Sequence, residues 1–262
     1  MRKKFSLEEC KKVKEHNQPW FNSFLFEPIH DRCTWLIVNY TKFTPNFISF
    51  LSFVFGIITT ILFFKGNLLL GGIFFELRNI GDTLDGRVAR LKGVGSSFGA
   101  YYDNYVGTWS VFLNFFALSY FLYTASTNIS WLLIMPFMFF FTWFHGFEGL
   151  LVSNVVGGKK EYKNIMLKNN ENSKIIQKKS LHHLLLNKIF NKYKLTPPPD
   201  ASDIQHLMFF VAPILNLFIL PKYSIFEYFS IGIMVLAVMA SIYWFIFYRN
   251  FLNKYDRVND LN

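Results

Sequence analysis

The chain has little charge and almost no cysteine. Only 17% of its 262 residues are charged, against 52% hydrophobic and 20% aromatic. This composition is unlike that of a soluble domain and is typical of a membrane protein. The two cysteines, Cys10 and Cys33, form no CxxC pair and no framework of a small secreted protein. The charged N-terminus lacks the apolar core of a cleaved signal peptide, so the first apolar segment is expected to direct insertion.

Long apolar segments are what the chain has instead. Several approach the length of about twenty residues that a helix needs to cross a bilayer. Short, turn-like breaks separate most of them, which predicts antiparallel neighbouring helices. We therefore expect an all-α membrane protein with about six transmembrane helices. The segments lie at about 45–64, 68–89, 97–124, 130–156, 205–220 and 225–248.

An amphipathic stretch precedes the first apolar segment. Aromatic and aliphatic side chains recur there at near-helical spacing among polar ones, which predicts an N-terminal helix at the membrane interface. Pro28 interrupts this run, so either one helix or two shorter pieces fit the pattern. The apolar members are Trp20, Phe21, Phe24, Leu25 and Ile29.

Basic residues predict the topology. Eight lie in the first 43 residues, ten in 157–200 and three from Arg249 onward, whereas the opposite face holds only Lys65 and Lys222. This asymmetry predicts cytoplasmic termini in a multi-pass protein. Because the lysines lie in loops between apolar runs, the net charge of +10 indicates membrane lipid, not nucleic acid, as the partner. The expected organisation is a cytoplasmic and interfacial segment 1–43, spans one to four in 44–156, a basic cytoplasmic loop 157–203, spans five and six in 204–248, and a cytoplasmic tail 249–262.

Acidic residues inside the second and third segments are the main functional signal, because charge within a membrane span is costly. At about 100° per residue, Asp82 and Asp85 share one helix face with Gly86 and Ala89. In the next segment Gly99 and Asp103 are four residues apart and share a face as well.

Three carboxylates close together repel one another unless a cation neutralises them. Oxygen-only ligands favour Mg²⁺, Mn²⁺ or Ca²⁺, and Mg²⁺ usually keeps substrate phosphates among its ligands. We therefore expect a metal and phosphate site at this point of the chain. Arg87 and Arg90 could complement phosphate charge, although helix-end arginines also extend to the interface, and we expect Arg87 to do so.

The run from Asp82 through Arg90, with Gly99 and Asp103 at fixed intervals, resembles the motif DxxDGxxARx8GxxxDxxxD of the CDP-alcohol phosphotransferases. Seven of its eight fixed positions match. The resemblance implies that a phosphoalcohol or phosphatidyl group passes from a CDP-linked donor to an acceptor hydroxyl, with release of CMP, in phospholipid synthesis. It also implies an active site facing the cytoplasm. Family members are often dimers, but the sequence carries no interface signal of its own.

The resemblance also implies roles for individual residues. Asp82, Asp85 and Asp103 would bind one or two Mg²⁺ or Mn²⁺ ions, and Asp103 would belong to the catalytic group. The donor would contact the small residues of the motif, with Arg90 securing phosphate or the motif's own carboxylates and Asn46 reaching the donor. The expected donor-binding residues are Gly86, Ala89, Arg90, Gly99 and Asn46.

The last aspartate of the motif is missing, because Gly107 stands in its place. In the family that residue is regarded as the base and as a ligand of the second metal. Loss of a general base typically costs about 10²- to 10⁴-fold in rate. Three explanations compete: the acceptor needs no base, another side chain substitutes, or this member binds the CDP donor with impaired catalysis.

The candidates for a substitute base are His145 and Glu148, three residues apart in the fourth segment. A buried, hydrogen-bonded pair that packs helices together is the structural alternative. A transporter is a more remote reading, since intramembrane charges also mark ion paths, but paired broken helices are not apparent.

Overall fold

In the computed structural model the described residues are 4–13, 19–155, 201–219 and 223–259. This part of the chain is helical and contains no strand. The helices are α1 (Leu7–Lys12), α2 (Glu27–Tyr40), α3 (Pro45–Phe64), α4 (Leu68–Lys92), α5 (Ser97–Ser126), α6 (Trp131–Val155), α7 (Ala201–His206), α8 (Ala212–Leu215) and α9 (Ser224–Asn259), with π-helical turns at Asn22–Phe26 and Leu207–Val211.

Local chemistry explains where the central helices begin and end. The Thr44 hydroxyl caps α3, with Pro45 in its first turn, and the Ser96 hydroxyl accepts from Gly99 N at the start of α5. At the end of α4, Gly93 adopts φ 65°, a left-handed conformation that suits glycine. These signals are local, so the helix ends lie close to the predicted segment ends.

Two helices, Pro45–Phe64 and Ser97–Ser126, are long and apolar enough to cross a membrane by length and composition. Shorter apolar stretches occur at Trp131–Phe140, Ser202–Leu215 and Ser224–Val235. α4 has the length but carries the acids and arginines of the motif. The six-span count and the interfacial placement of the N-terminal helix therefore stay predictions, as does the division into segments. Residues 157–200 of the predicted basic loop lie outside the described residues.

Helix α3 packs against both α4 and α5, and these three helices form the centre of the molecule. An aromatic core fills the end away from the acids and includes Phe63, Phe75, Phe115 and Phe209. The C-terminal part joins this core through the π-helical turn Leu207–Val211, which packs on α4. The α4 acids consequently lie at the other end of the three-helix centre, next to α2 and the start of α5.

Candidate metal and phosphate site

The two acids of α4 differ in exposure. Asp85 is buried, with 4% of its surface exposed, whereas the side chain of Asp82 is 40% exposed. They lie one helical turn apart on the same side of α4. Asp85 therefore meets protein groups, while Asp82 retains access to a ligand.

Neighbouring helices contribute to Asp85. The Ser49 hydroxyl of α3 donates to Asp85 Oδ2. The carboxyl group of Asp103, on α5, lies within hydrogen-bonding reach of Asp85, and the charge of Asp82 acts on both. Three helices thus meet at one buried carboxylate.

The donor chemistry at this point fits a hard divalent cation. Two carboxyl groups in hydrogen-bonding reach, with a third close by, need a proton or a cation to offset their repulsion. Carboxylate oxygens are the ligands that Mg²⁺ and Mn²⁺ prefer. Among the described residues, however, no three acidic, histidine or cysteine side chains are arranged as a ready-made metal site. Asp82 is turned toward Arg78, whose Nη2 lies 3.2 Å from Asp82 Oδ1, so it would have to rotate to join the other two.

Small residues form the rim beside the acids. A Cβ added to Gly99 would lie 3.0 Å from Asn46 Oδ1, and one added to Gly86 would lie 3.2 Å from Arg90 Nη1. The Asn46 amide at the start of α3 therefore contacts the start of α5, and the Arg90 guanidinium lies over the backbone at Gly86. Ala89, half-buried, completes this side of α4. The small residues thus let two polar side chains lie close to the backbone, and a ligand reaches the backbone itself only where these side chains turn aside.

The sequence profile of the CDP-alcohol phosphatidyltransferase family matches residues 42–154. This span runs from just before the cap of α3 almost to the end of α6, and it holds the three acids and the small residues beside them. This match supports membership of the chain in the CDP-alcohol phosphatidyltransferase family. No curated protein matches the chain significantly.

The family match indicates the general character of the protein. The family is membrane-embedded and generally divalent-metal dependent, and its reaction is phosphotransfer from a CDP-alcohol in phospholipid synthesis. The match over residues 42–154 agrees with the family predicted from the motif. The two apolar helices of the described chain agree with a membrane location.

Arg87 departs from the sequence-based expectation. We expected it to extend to the interface, but it is only 1% exposed. Its Nη1 lies 2.8 Å from Asp31 Oδ1 and its Nη2 lies 2.8 Å from Glu27 Oε2, both on α2. The expectation was wrong because α2 brings two carboxylates to the face of α4 that carries this arginine. Arg87 therefore fixes α2 against α4.

Arg90 also has a partner from the N-terminal segment. Its Nε donates to the backbone oxygen of Val13 at 2.8 Å. The contact holds the exposed guanidinium beside Gly86, near the acids. This position is compatible with either expected role, contact with phosphate or with the motif's carboxylates.

His145 and Glu148 lie on α6, but their side chains lie outside the described part of the structure. The substitute-base hypothesis for this pair therefore stays a prediction. Gly107, in contrast, is described, and it lies on α5 one turn beyond Asp103, beside Arg78.

Sequence reasoning missed two polar residues at the site, Ser49 and Arg78. Each had a local signal, since Ser49 follows Asn46 by three residues and Arg78 precedes Asp82 by four, spacings that place residues on one helix face. What the spacing did not reveal was the contact between Ser49 and Asp85, because these residues are 36 positions apart.

Proposed function

We propose that this member transfers a phosphoalcohol or phosphatidyl group from a CDP-linked donor to a hydroxyl acceptor and releases CMP, with Mg²⁺ or Mn²⁺ bound at Asp82, Asp85 and Asp103. The observation that carries the proposal is the approach of the Asp85 and Asp103 carboxyls between α4 and α5. Two carboxyl groups within hydrogen-bonding reach of each other are suited to share a cation. The hydroxyl acceptor would reach the site from the bilayer or from the adjoining cytoplasm. Membrane lipid would surround the protein.

Individual residues have distinct roles in this proposal. Asp85, held by Ser49, would supply a fixed ligand, and the more exposed Asp82 would supply another after turning away from Arg78. The metal, when bound, offsets the negative charge of the donor's phosphates. Gly86, Ala89 and Gly99 leave room for the nucleotide, while Asn46 and Arg90 offer it polar contacts.

Orientation follows from charge. The basic residues of the N-terminal segment and of residues 157–200 favour a cytoplasmic position of the termini in a multi-pass protein. Arg90 contacts Val13 of the N-terminal segment, so the acids lie at the end of the helices nearest that segment. The proposed active site therefore faces the cytoplasm.

Gly107 supports a second candidate function, a protein of this fold that binds the CDP donor without turning it over. Glycine has no side chain that could accept the acceptor's proton. In the active alternative, His145 or Glu148 accepts that proton, or the acceptor is acidic enough to need no base.

The test uses the purified full chain in lipid nanodiscs with CDP-diacylglycerol and a panel of CDP-alcohols, each with an acceptor panel. We expect CMP release and a phosphodiester product with Mg²⁺ or Mn²⁺, and neither with EDTA. Asp85→Asn should lower the rate by about 10²-fold or more, since even residues behind the metal ligands are typically worth 10- to 100-fold. Glu8→Gln, which changes a 73% exposed acid in the same chemical way, should have no effect.

The outcomes separate the candidates. Metal-dependent donor binding without CMP release would favour the binding protein, and absence of both would refute both functions and leave the transporter reading. If CMP is released, Glu148→Ala and His145→Ala test the base: loss of transfer with donor and metal binding intact supports the substitution, and unchanged turnover refutes it.

A further inference from the structure

The space beside Gly107 is filled by Arg78. A Cβ built on Gly107 would lie 3.1 Å from Arg78 Nη2 and 3.5 Å from Asp82 Oδ1. The first of these distances is shorter than an ordinary van der Waals contact, so a side chain at position 107 would press directly on the guanidinium. The position that carries a carboxylate in the family motif here adjoins a positive charge.

Arg78 is held in this place from three helices. On α4 its Nη1 lies 2.7 Å from Asn79 Oδ1 and its Nη2 contacts Asp82, while Nη2 also points to the backbone oxygen of Gly107 on α5 at 3.4 Å. From α3, the Ser52 hydroxyl donates to the Arg78 carbonyl at 2.8 Å. The residue is only 5% exposed, and an arginine keeps its charge even when buried.

The balance of charge at the site follows from this arrangement. A motif with four aspartates carries four negative charges, which two divalent cations neutralise. Here three aspartates and the Arg78 guanidinium leave two negative charges, which one divalent cation neutralises. A second divalent cation would have to approach the guanidinium without the carboxylate that normally binds it.

We propose that Arg78 takes the electrostatic place of the second metal ion and that this chain binds one divalent cation at the Asp82, Asp85 and Asp103 cluster. The inference rests on the proposed function for the identity of the site. Arg78 supplies positive charge but cannot accept a proton, since it remains protonated. It therefore compensates for the lost metal ligand and leaves the lost base to another group.

Mn²⁺ binding to the full chain in detergent, measured by electron paramagnetic resonance and by calorimetry without any substrate, tests the inference. We expect one ion per wild-type chain. Gly107→Asp alone should still bind one ion, because the new carboxylate pairs with Arg78. Gly107→Asp combined with Arg78→Gln should bind two, and the exposed Arg32→Gln should behave as wild type.

Two Mn²⁺ ions or none on the wild-type chain would overturn the inference. This measurement does not depend on whether any variant folds. A second ion in Gly107→Asp with Arg78 present, or only one in the folded double variant, would overturn it as well. CMP release is read separately. A chain that binds one ion but releases no CMP contradicts the proposed transfer and leaves this inference standing. CMP release with two ions bound supports the proposed transfer and overturns this inference.

Discussion

Removal of the Arg87 side chain should loosen α2 from α4 without dismantling the acidic site. Arg87 is almost completely buried, and its two nitrogens bind two carboxylates, each at 2.8 Å. The side chains of Glu27 and Asp31 are themselves only 12% and 10% exposed. Arg87→Ala would leave both in a poorly hydrated position without the cation they share.

The expected cost is large because the pairing is buried. Breaking a buried ion pair from one side typically costs about 3 to 5 kcal/mol, since the remaining charge stays desolvated. If the cost falls on local opening of α2, amide exchange over Glu27–Tyr40 should accelerate by roughly 10²- to 10⁴-fold. Arg87 lies two positions after Asp85 and points to the opposite face of α4, so Mn²⁺ binding should survive while the protein stays folded.

Hydrogen–deuterium exchange and thermal unfolding in detergent measure these effects. Arg32→Ala, an exposed arginine on α2, is the matched control. Replacing all three charges, Arg87→Met with Glu27→Leu and Asp31→Leu, should recover most of the stability because no buried charge is left alone. If Arg87→Ala behaves like Arg32→Ala, the buried network does not hold α2 and the reasoning is refuted.

Three further predictions concern α3, glycine packing and pH. Ser49→Ala should weaken Mn²⁺ binding by about tenfold, because it removes the hydrogen bond to a proposed metal ligand, whereas Ser126→Ala should not. Equal Mn²⁺ affinities of the two variants would contradict this. Gly56→Ala should destabilise by about 1 to 3 kcal/mol, since its Cβ would overlap a serine of α5, whereas Gly232→Ala, in open space, should stabilise by about 0.5 to 1 kcal/mol in thermal unfolding. Burial, then the Arg87 charge, lowers the pKa of His30 from 6.5 to about 3, so the folded protein holds it neutral. The free energy of unfolding should therefore fall as pH drops from 6.5 toward 3, by about 2 kcal/mol at pH 5. His30→Phe should flatten this slope. Parallel pH curves for the wild type and the variant would exclude His30 as the cause.

Much of the local structure was predictable because it depends on near neighbours. Thr44 and Ser96 cap helices through bonds to residues three positions away. The first four apolar segments have nearly the length of the helices that form, whereas the last two do not. The motif spacing placed Asp82 and Asp85 on one face of α4 by the 3.6-residue period alone. It also identified the family.

The partners of these side chains depended on how the helices pack. A helical period tells which residues share a face but not which helix covers it. Arg87 is buried because α2, 56 and 60 positions away in its two contacts, supplies carboxylates. Ser49 reaches Asp85 because α3 lies against α4.

Gly107 shows most clearly which features the sequence determines and which depend on the tertiary structure. The sequence by itself determined that a carboxylate is missing from the motif, since fixed spacing along one helix reveals a lost side chain. Only the tertiary structure decided what stands in its place, because Arg78 lies 29 positions away on another helix. It meets Gly107 because α4 and α5 both pack on α3. Sequence spacing shows which residues share a face of one helix, whereas the charge at a site is the sum over all the helices that converge there.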